Sequence, residues 1–148
     1  MDRFVGRYEH SLDTKGRLVL PARLRPAFDV QGGYLAKGPE GCLALWPHDR
    51  YQRRLADLEE QAEEAATPGA RAKERLFSSA EPVTPDQQGR IPVAPYLQEF
   101  ARLDPARILV RGANKVVELW NPQRWEQIEA AAEQDLLGVD AAAVAAAS

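Results

Sequence analysis

The residues near the N-terminus best suited to chemistry are His10, Ser11 and Asp13, which could serve as the base, nucleophile and orienting carboxylate of a hydrolase. His10 and Ser11 fall in a predicted short strand, and neighbouring side chains of a strand point to opposite faces. His10 and Ser11 therefore diverge, which disfavours a triad. A hydrolase would require turnover that disappears when His10 or Ser11 is replaced by alanine.

The other candidate nucleophile, Cys42, is the only cysteine of the chain. It lies in a predicted strand at the position that Val116 occupies in a second copy of the same pattern, which favours a buried apolar role over a reactive thiol. His48 follows Pro47 at a predicted helix start and is expected at the surface. Two histidines and one cysteine would need carboxylates to complete a metal site, and no glycine spacing predicts a phosphate-binding loop. The chain is therefore predicted not to be an enzyme and to use no metal or cofactor.

The most informative short motif is the Asp-x-x-Gly-Arg element of residues 13–17, which recurs at residues 86–90. In its structural interpretation the aspartate accepts backbone hydrogen bonds in a turn, the glycine adopts a positive φ and the arginine pairs with the aspartate. In its functional interpretation a projecting loop with cations at its tip contacts phosphates and base edges. The residues predicted to shape the two turns are Asp13, Gly16, Asp86, Gly89 and Arg90.

The two motifs belong to an internal duplication. Residues 13–20 recur as residues 86–93 at an offset of 73, and residues 38–46 recur as residues 112–120 at an offset of 74. Two copies are too few for a solenoid, so the pattern indicates one pseudo-symmetric domain built from two copies of a small unit.

Both copies predict the order strand, strand, short helix, strand, strand, helix. Pro47 is predicted to open a helix that runs to about Ala65, and Asn121 with Pro122 to begin its second-copy equivalent. The remaining first-copy elements are strands over residues 8–12 and 17–20, a short helix over residues 22–28, and a hairpin of residues 34–37 and 42–46.

Three further segments lie outside this repeated order. Residues 67–69, Thr-Pro-Gly, predict a chain break between the copies, and residues 70–77 predict a helix that leads into the second copy. Residues 141–147 are mostly alanine without a capping residue, and we expect them to form a frayed tail.

Basic residues are divided unequally between the copies. Residues 3–25 carry a net charge of +4, whereas the equivalent residues 76–98 carry −1. Because the scaffold residues are shared and the basic residues are not, a partner-binding role confined to the first copy is favoured over a structural one. At the offset of 73 the basic residues without a basic counterpart include Arg7, Lys15, Arg23 and Arg25.

Composition excludes several classes of protein. The chain has 148 residues, 45% of them hydrophobic and 28% charged, which suits a single folded domain. It has no apolar run of the roughly 18 residues that a membrane span needs, and we expect no secretory signal. The net charge of −3 argues against indiscriminate coating of nucleic acid, and the lone cysteine fits a reducing cytoplasm.

Residues 8–22, Tyr-Glu-His-Ser-Leu-Asp-Thr-Lys-Gly-Arg-Leu-Val-Leu-Pro-Ala, resemble the opening of the MraZ family. The second Asp-x-x-x-Arg element at residues 86–90 and the Leu-Trp pairs at residues 45–46 and 119–120 fit the same family. The resemblance covers about residues 4–135. It implies an α+β, mainly β fold: a pseudo-two-fold, AbrB-like swapped-hairpin (double-split) β-barrel made from two tandem repeats, with flanking helices.

The resemblance also implies a division of the chain. A first AbrB-like, DNA-binding repeat is expected over residues 7–53 and a helical connection over residues 54–79. The second repeat is expected over residues 80–126, followed by a C-terminal helix with an acidic, alanine-rich tail over residues 127–148.

The function implied by the resemblance is that of a bacterial transcriptional regulator, usually a repressor. Such a protein binds short direct repeats upstream of its own division and cell-wall gene cluster as a ring-shaped homo-oligomer. The expected partners are therefore double-stranded DNA and further copies of the chain, with no membrane and no small-molecule substrate, in the cytoplasm on the nucleoid.

Family DNA contacts centre on the first Asp-x-x-x-Arg loop, which places Lys15 and Arg17, with Thr14, at the expected site. We expect these residues to contact phosphates and a guanine edge. The remaining basic residues of the N-terminal segment are expected to supply an electrostatic platform; they are Arg3, Arg7, Arg23 and Arg25.

Two expectations concern assembly. The chain has more large apolar side chains than a thin two-copy barrel can bury alone, so a homo-oligomer larger than a dimer is predicted. These side chains are Tyr34, Trp46, Leu119, Trp120 and Trp125. The alternative function is an oligomeric scaffold whose acidic helices bind a protein and whose basic loop is merely solvated.

Overall fold

The computed structural model describes residues 3–147, and their side chains as far as Gly138. This part of the chain contains eight strands and four α-helices. The strands are β1 (Arg7–His10), β2 (Arg17–Val19), β3 (Gly33–Lys37), β4 (Leu43–Pro47), β5 (Glu81–Val83), β6 (Arg90–Pro92), β7 (Ile108–Gly112) and β8 (Val117–Trp120). The helices are α1 (His48–Ala65), α2 (Pro68–Phe77), α3 (Pro95–Phe100) and α4 (Pro122–Ala147).

The strands form an antiparallel six-stranded sheet and a separate two-stranded ribbon. The sheet order is β1-β7-β8-β4-β3-β5, and the ribbon pairs β2 with β6. Exchanging each first-copy strand for its second-copy counterpart reverses the sheet order and leaves it otherwise unchanged. The duplication is therefore expressed as a pseudo-two-fold arrangement in which β1 pairs with the second copy and β5 with the first.

The α+β class with a mainly antiparallel sheet is confirmed, and the expected barrel is not closed. The fold is not mainly β, because α1 and α4 alone contain 18 and 26 residues, more than the eight strands together. In the described residues β1 and β5 are the two edges of the sheet and do not pair with each other. The ribbon is linked to the sheet by packing, because Leu18 of β2 and Ile91 of β6 are fully buried in the same core as Leu35 and Val110. Burial of these apolar groups holds the loops that precede β2 and β6 against the sheet.

Helix boundaries follow local capping. The side chain of Asn121 accepts a hydrogen bond from the backbone N–H of Gln123 at 2.9 Å, which confirms it as the cap of α4. The predicted break at residues 67–69 is displaced: Ala66 adopts a left-handed φ of 51°, and Thr67 caps α2 by accepting from the N–H of Ala70 at 3.1 Å. Pro68 is thus the first residue of a helix, a position where its missing N–H costs nothing.

Two further expectations about helices need correction. The short helix predicted over residues 22–28 is a 3₁₀ turn limited to Arg25–Phe28, with Pro26 in its first turn. The frayed tail predicted over residues 141–147 is wrong, since α4 extends to Ala147. Alanine has the highest intrinsic helix propensity, so this segment continues a helix that has already begun.

The large aromatic residues pack against helices of the same chain, although Tyr34, Trp46 and Trp125 are only half-buried. Assembly into an oligomer larger than a dimer therefore stays a prediction. Tyr34 stacks on Tyr51 of α1 with ring centroids 4.0 Å apart, and Trp46 meets Phe77 of α2 edge-on at 5.2 Å. Leu119 and Trp120 are buried as well, and Trp125 of α4 lies 5.4 Å from Trp120. The helices, which a two-copy barrel alone would lack, supply this cover. Among the described residues, no helix combines the length and the apolar character that a membrane crossing requires.

Candidate nucleic-acid interface

The first loop is held by its aspartate. One carboxylate oxygen of Asp13 accepts hydrogen bonds from the backbone N–H groups of Lys15 and Arg17, each at 2.9 Å. The other oxygen accepts from Nε of the Arg17 side chain at 2.8 Å. Gly16 closes the turn with its N–H on the Asp13 carbonyl at 3.0 Å and a φ of 73°. Three charge-assisted bonds to one carboxylate make this a rigid loop.

The second loop repeats this geometry. Asp86 accepts from the backbone N–H groups of Gln88 and Arg90 at 2.9 Å, and from Nε of Arg90 at 2.7 Å. Gly89 has a φ of 78° and donates to the Asp86 carbonyl at 2.9 Å. The arginine side chain is 28% exposed in both loops. These hydrogen bonds from the loop to its own aspartate, here called the brace, are therefore shared by both copies and do not distinguish them.

Each loop also contacts the strand end of the other copy. The Leu20 N–H donates to the Gly89 carbonyl at 2.8 Å, and the Val93 N–H donates to the Gly16 carbonyl at 2.9 Å. Because β2 and β6 are antiparallel, the two loops lie at opposite ends of the ribbon. A ligand on the first loop is consequently separated from the second loop by the length of the ribbon.

The difference between the loops lies at their tips. Thr14 and Lys15 are exposed in the first loop, where the second has the neutral Gln87 and Gln88. Within the described residues, the terminal nitrogens of Arg17 make no hydrogen bond, since only its Nε is engaged with Asp13. The first loop thus presents an ammonium group and a guanidinium edge on a braced backbone, which is chemistry suited to phosphate oxygens and base edges.

The structure does not gather the expected electrostatic platform around this loop. Arg7, at the far end of β1, pairs with Glu129 of α4 and lies over the ring of Trp125. Arg25 donates from Nε to the Leu20 carbonyl at 2.7 Å and packs against Gly89, beside the second loop.

The other two members of the expected platform are also placed separately. Arg23 is exposed in the turn after β2. Arg3 lies beside Asn114, a residue of the turn between β7 and β8. Both residues line a cleft together with residues of α1. These four arginines are close together in the sequence. In the folded chain they lie on different surfaces, because β1, β2 and the turns around them separate them.

Sequence reasoning also missed a group of basic residues on α1 that line this cleft, namely Arg50, Arg53 and Arg54. The sequence contained a signal for two of these residues. At the offset of 74, Arg53 and Arg54 correspond to Gln127 and Ile128, so the second copy lacks their charge.

The residues considered for catalysis have other environments. The Asp13 carboxylate is engaged within its own loop. Burial, and secondarily the nearby Arg25 charge, lower the pKa of His10. Burial raises the pKa of the Cys42 thiol, which packs with Leu109 and Trp120 and is therefore a poor nucleophile. In the described part of the chain, no three His, Cys, Asp or Glu side chains are grouped as a metal site would need.

Comparison with known proteins identifies the family. The model of the MraZ protein family, described as antitoxin-like, matches twice in tandem, over residues 3–75 and 76–146. The chain belongs to the MraZ family. A relative named Transcriptional regulator MraZ from Thermomicrobium roseum is 40% identical over 143 residues, covering 96% of this chain and 94% of the relative.

Two further relatives of the same name support this membership. The protein from Nocardioides sp. is 38% identical over 142 residues, covering 93% of each chain. The protein from Heliobacterium modesticaldum is 38% identical over 129 residues, covering 84% of this chain and 85% of the relative. These MraZ relatives are named as regulators of transcription, which confirms the prediction that the chain is not an enzyme. The tandem family match also agrees with the duplication read from the sequence.

The braced loops of this MraZ-family chain predict a specific acid response. The pKa of Asp13 and of Asp86 lies below the ordinary 3.8, first because the backbone N–H of Arg17 or Arg90 donates to the carboxylate, and further because the arginine side chain does. A folded-state pKa below the unfolded one stabilises the fold above the unfolded pKa, and that stabilisation is lost as pH falls through the lowered value. We expect both carboxyls to titrate below 3.8.

Carboxyl chemical shifts followed by NMR through acid titration measure this directly. Asp13→Asn and Asp86→Asn should each reduce the acid sensitivity of the melting temperature, and by similar amounts because the two loops have the same geometry. A carboxyl midpoint at or above 3.8 for either residue would contradict the brace.

Proposed function

We propose that this chain is a sequence-specific DNA-binding transcriptional regulator, acting as a repressor of the division and cell-wall gene cluster that contains its own gene. The observation that carries the proposal is the contrast between two equally braced loops, of which the first alone presents a lysine at its tip. The names of the MraZ relatives support a role in transcription. We further propose that each repeat is an AbrB-like swapped-hairpin unit, which the exchange of β1 and β5 between the copies supports.

In the proposed complex, Lys15 and Thr14 contact phosphate oxygens, and the terminal nitrogens of Arg17 meet a guanine edge or a phosphate. The Asp13 brace leaves Nε of Arg17 occupied and holds the backbone of Lys15 in place before DNA arrives. Prior ordering reduces the conformational entropy lost on binding. Asp13 and Gly16 therefore act on DNA through the shape of the loop and not by contact.

We assign different roles in DNA binding to the four arginines of the expected electrostatic platform. Arg23 is exposed and can join the contact surface directly. Arg25 is held by the Leu20 carbonyl and acts on DNA through its charge alone. Arg7 is paired with Glu129, and Arg3 lies in the cleft beside α1, so both contribute only to the long-range field that steers DNA.

We propose that the chain acts as a ring-shaped homo-oligomer larger than a dimer, located in the cytoplasm on the nucleoid. One loop offers few contacts, whereas identical loops side by side can meet direct repeats about 10 bp apart and gain by effective concentration. Apolar groups left exposed on α4, Leu136 and Leu137, provide surface for such contacts. Light scattering at micromolar concentration is expected to give a mass above twice the 16.4 kDa of one chain. A mass of one chain would contradict assembly.

Lys15→Gln tests the proposed DNA interface, because it makes the tip of the first loop like that of the second. Lys15 contacts DNA through its charge and braces nothing with its side chain, so we expect weaker binding with an unchanged melting temperature. Loss of a phosphate contact should weaken all duplex sequences similarly and reduce the salt slope by about one per engaged loop. Filter binding at several salt concentrations, on promoter DNA and on random duplex, measures both effects.

The matched control is Gln88→Lys, which adds the same charge to the second loop. We expect it to leave promoter binding and its salt slope close to those of the parent chain. If Lys15→Gln left both quantities unchanged, the protein-binding scaffold, whose basic loop is only solvated, would replace DNA binding as the function.

A further inference from the structure

A second basic site lies on α1, away from the Asp-x-x-x-Arg loops. The N-terminal half of α1 and the turn between β7 and β8 border an open cleft with a volume of about 540 Å³. Among the residues that the structure describes, its lining contains five cationic side chains and a single carboxylate. The cations are Arg3, Arg50, Arg53, Arg54 and Lys115, and the remaining lining residues are Trp46, Asp57 and Asn114.

One of these cations has a structural task. Nη1 of Arg50 donates to the Lys115 carbonyl at 2.8 Å, and its guanidinium lies 5.4 Å from the centre of the Phe4 ring. The second copy contains the same device, because Nη1 of Arg124 donates to the Gly41 carbonyl at 3.2 Å. An arginine that ties the first turn of the long helix to the opposite β-turn therefore belongs to the scaffold of both copies.

Three of the other cations have no basic counterpart in the other copy. Arg53 and Arg54 correspond to Gln127 and Ile128, and Lys115 corresponds to Gly41. The duplicated fold shows that the helix and the turn form without these charges. Gathering like charges in one cleft opposes folding, so a structural role does not account for Arg54 and Lys115. A ligand that is itself anionic does.

The position and shape of the cleft favour a small ligand over the DNA of the loop site. Arg3 precedes β1 and Phe4 pairs with Asn114, whereas the first loop follows the opposite end of β1. The two basic sites therefore lie at opposite ends of that strand. An open cleft of this size can hold a compact molecule, with the half-buried Trp46 ring as an apolar wall.

We propose that the α1 cleft binds a small phosphate-bearing anion, with Arg53, Arg54, Lys115 and Arg3 contacting its phosphate oxygens. Guanidinium and ammonium groups donate charge-assisted hydrogen bonds, and phosphate oxygens are their strongest common acceptors. This site does not depend on the proposed DNA-binding function. The bound anion would lie between α1 and the turn that joins β7 and β8, away from the loop proposed to contact DNA. A ligand at this place is a candidate effector of the regulator.

Isothermal titration of the full chain with inorganic pyrophosphate tests the proposal. We expect saturable binding that the double variant Arg53→Gln, Arg54→Gln weakens by about tenfold or more, since charge-assisted hydrogen bonds are lost. Glutamine is the residue that the second copy carries at the first of these positions, so the helix should fold. The charge-matched control, Arg71→Gln with Lys73→Gln on exposed α2, should bind pyrophosphate like the parent chain. Arg3→Gln provides a second variant outside α1 with the same expected direction.

Four results would overturn the proposal. They are absent pyrophosphate binding, equal weakening by the control variant, displacement of pyrophosphate by a short random duplex, and a change in the light-scattering mass of the cleft variant. The third would assign the cleft to the phosphates of DNA, and the fourth to contact between copies. Lys15→Gln should leave pyrophosphate binding unchanged, so the failure of either site can be recognised independently of the other.

Discussion

Replacing Arg17 by alanine is expected to weaken binding to promoter DNA strongly, whereas replacing Arg90 is not. An arginine on a base edge contributes about 1–3 kcal/mol for each contact, and an assembly that engages several repeats multiplies the loss. Arg90 stands in an identical turn whose tip carries Gln88 in place of Lys15. Gel-shift titrations of the two alanine variants on the same promoter fragment make the comparison.

The two variants should lose thermal stability equally. The structure shows that Arg17 and Arg90 brace Asp13 and Asp86 at 2.8 and 2.7 Å with the same exposure. Each substitution removes one such brace, so melting curves should shift downward by similar amounts. Equal losses of DNA binding in the two variants, with both folds intact, would contradict a DNA interface confined to the first copy.

A second large effect is expected from Arg111→Ala. Arg111 of β7 pairs with Glu118 of β8, which is 9% exposed and also accepts from the Trp120 indole N–H at 2.9 Å. Removing Arg111 leaves the buried Glu118 carboxylate without its cationic partner, and loss of one partner of a buried ion pair typically costs about 3–5 kcal/mol. The guanidinium also lies 4.4 Å from the centre of the Trp125 ring, so its loss loosens the contact between α4 and the sheet. Chemical denaturation of the variant measures the change in the free energy of unfolding.

Arg107→Ala is the control, since Arg107 pairs with Glu9 across the neighbouring strands at the surface. Their side chains are 65% and 57% exposed, and a pair so open to water contributes little to stability. We expect no resolvable change for this variant. If Arg107→Ala and Arg111→Ala destabilised the chain equally, burial of Glu118 would not be the cause of the effect.

Local physics accounts for what the sequence predicted correctly. The spacing of Asp13, Gly16 and Arg17 specifies a turn whose hydrogen bonds close within five residues, so no distant contact is needed to form it. The same holds for Asn121 and the start of α4. The duplication then predicted that whatever formed at the first loop would form again at Asp86.

By itself, therefore, the sequence determined the two equivalent loops, the order of the elements and the charge that only the first copy carries. Tertiary structure decided that each copy completes the sheet of the other, that the sheet stays open, and that helices cover the aromatic residues. It also separated Arg7 and Arg3 from Lys15, and gathered Arg53 and Lys115, which are distant in sequence, into one cleft. The physical reason is that strand pairing and burial depend on contacts between residues far apart in the chain, which local patterns of residue type do not encode.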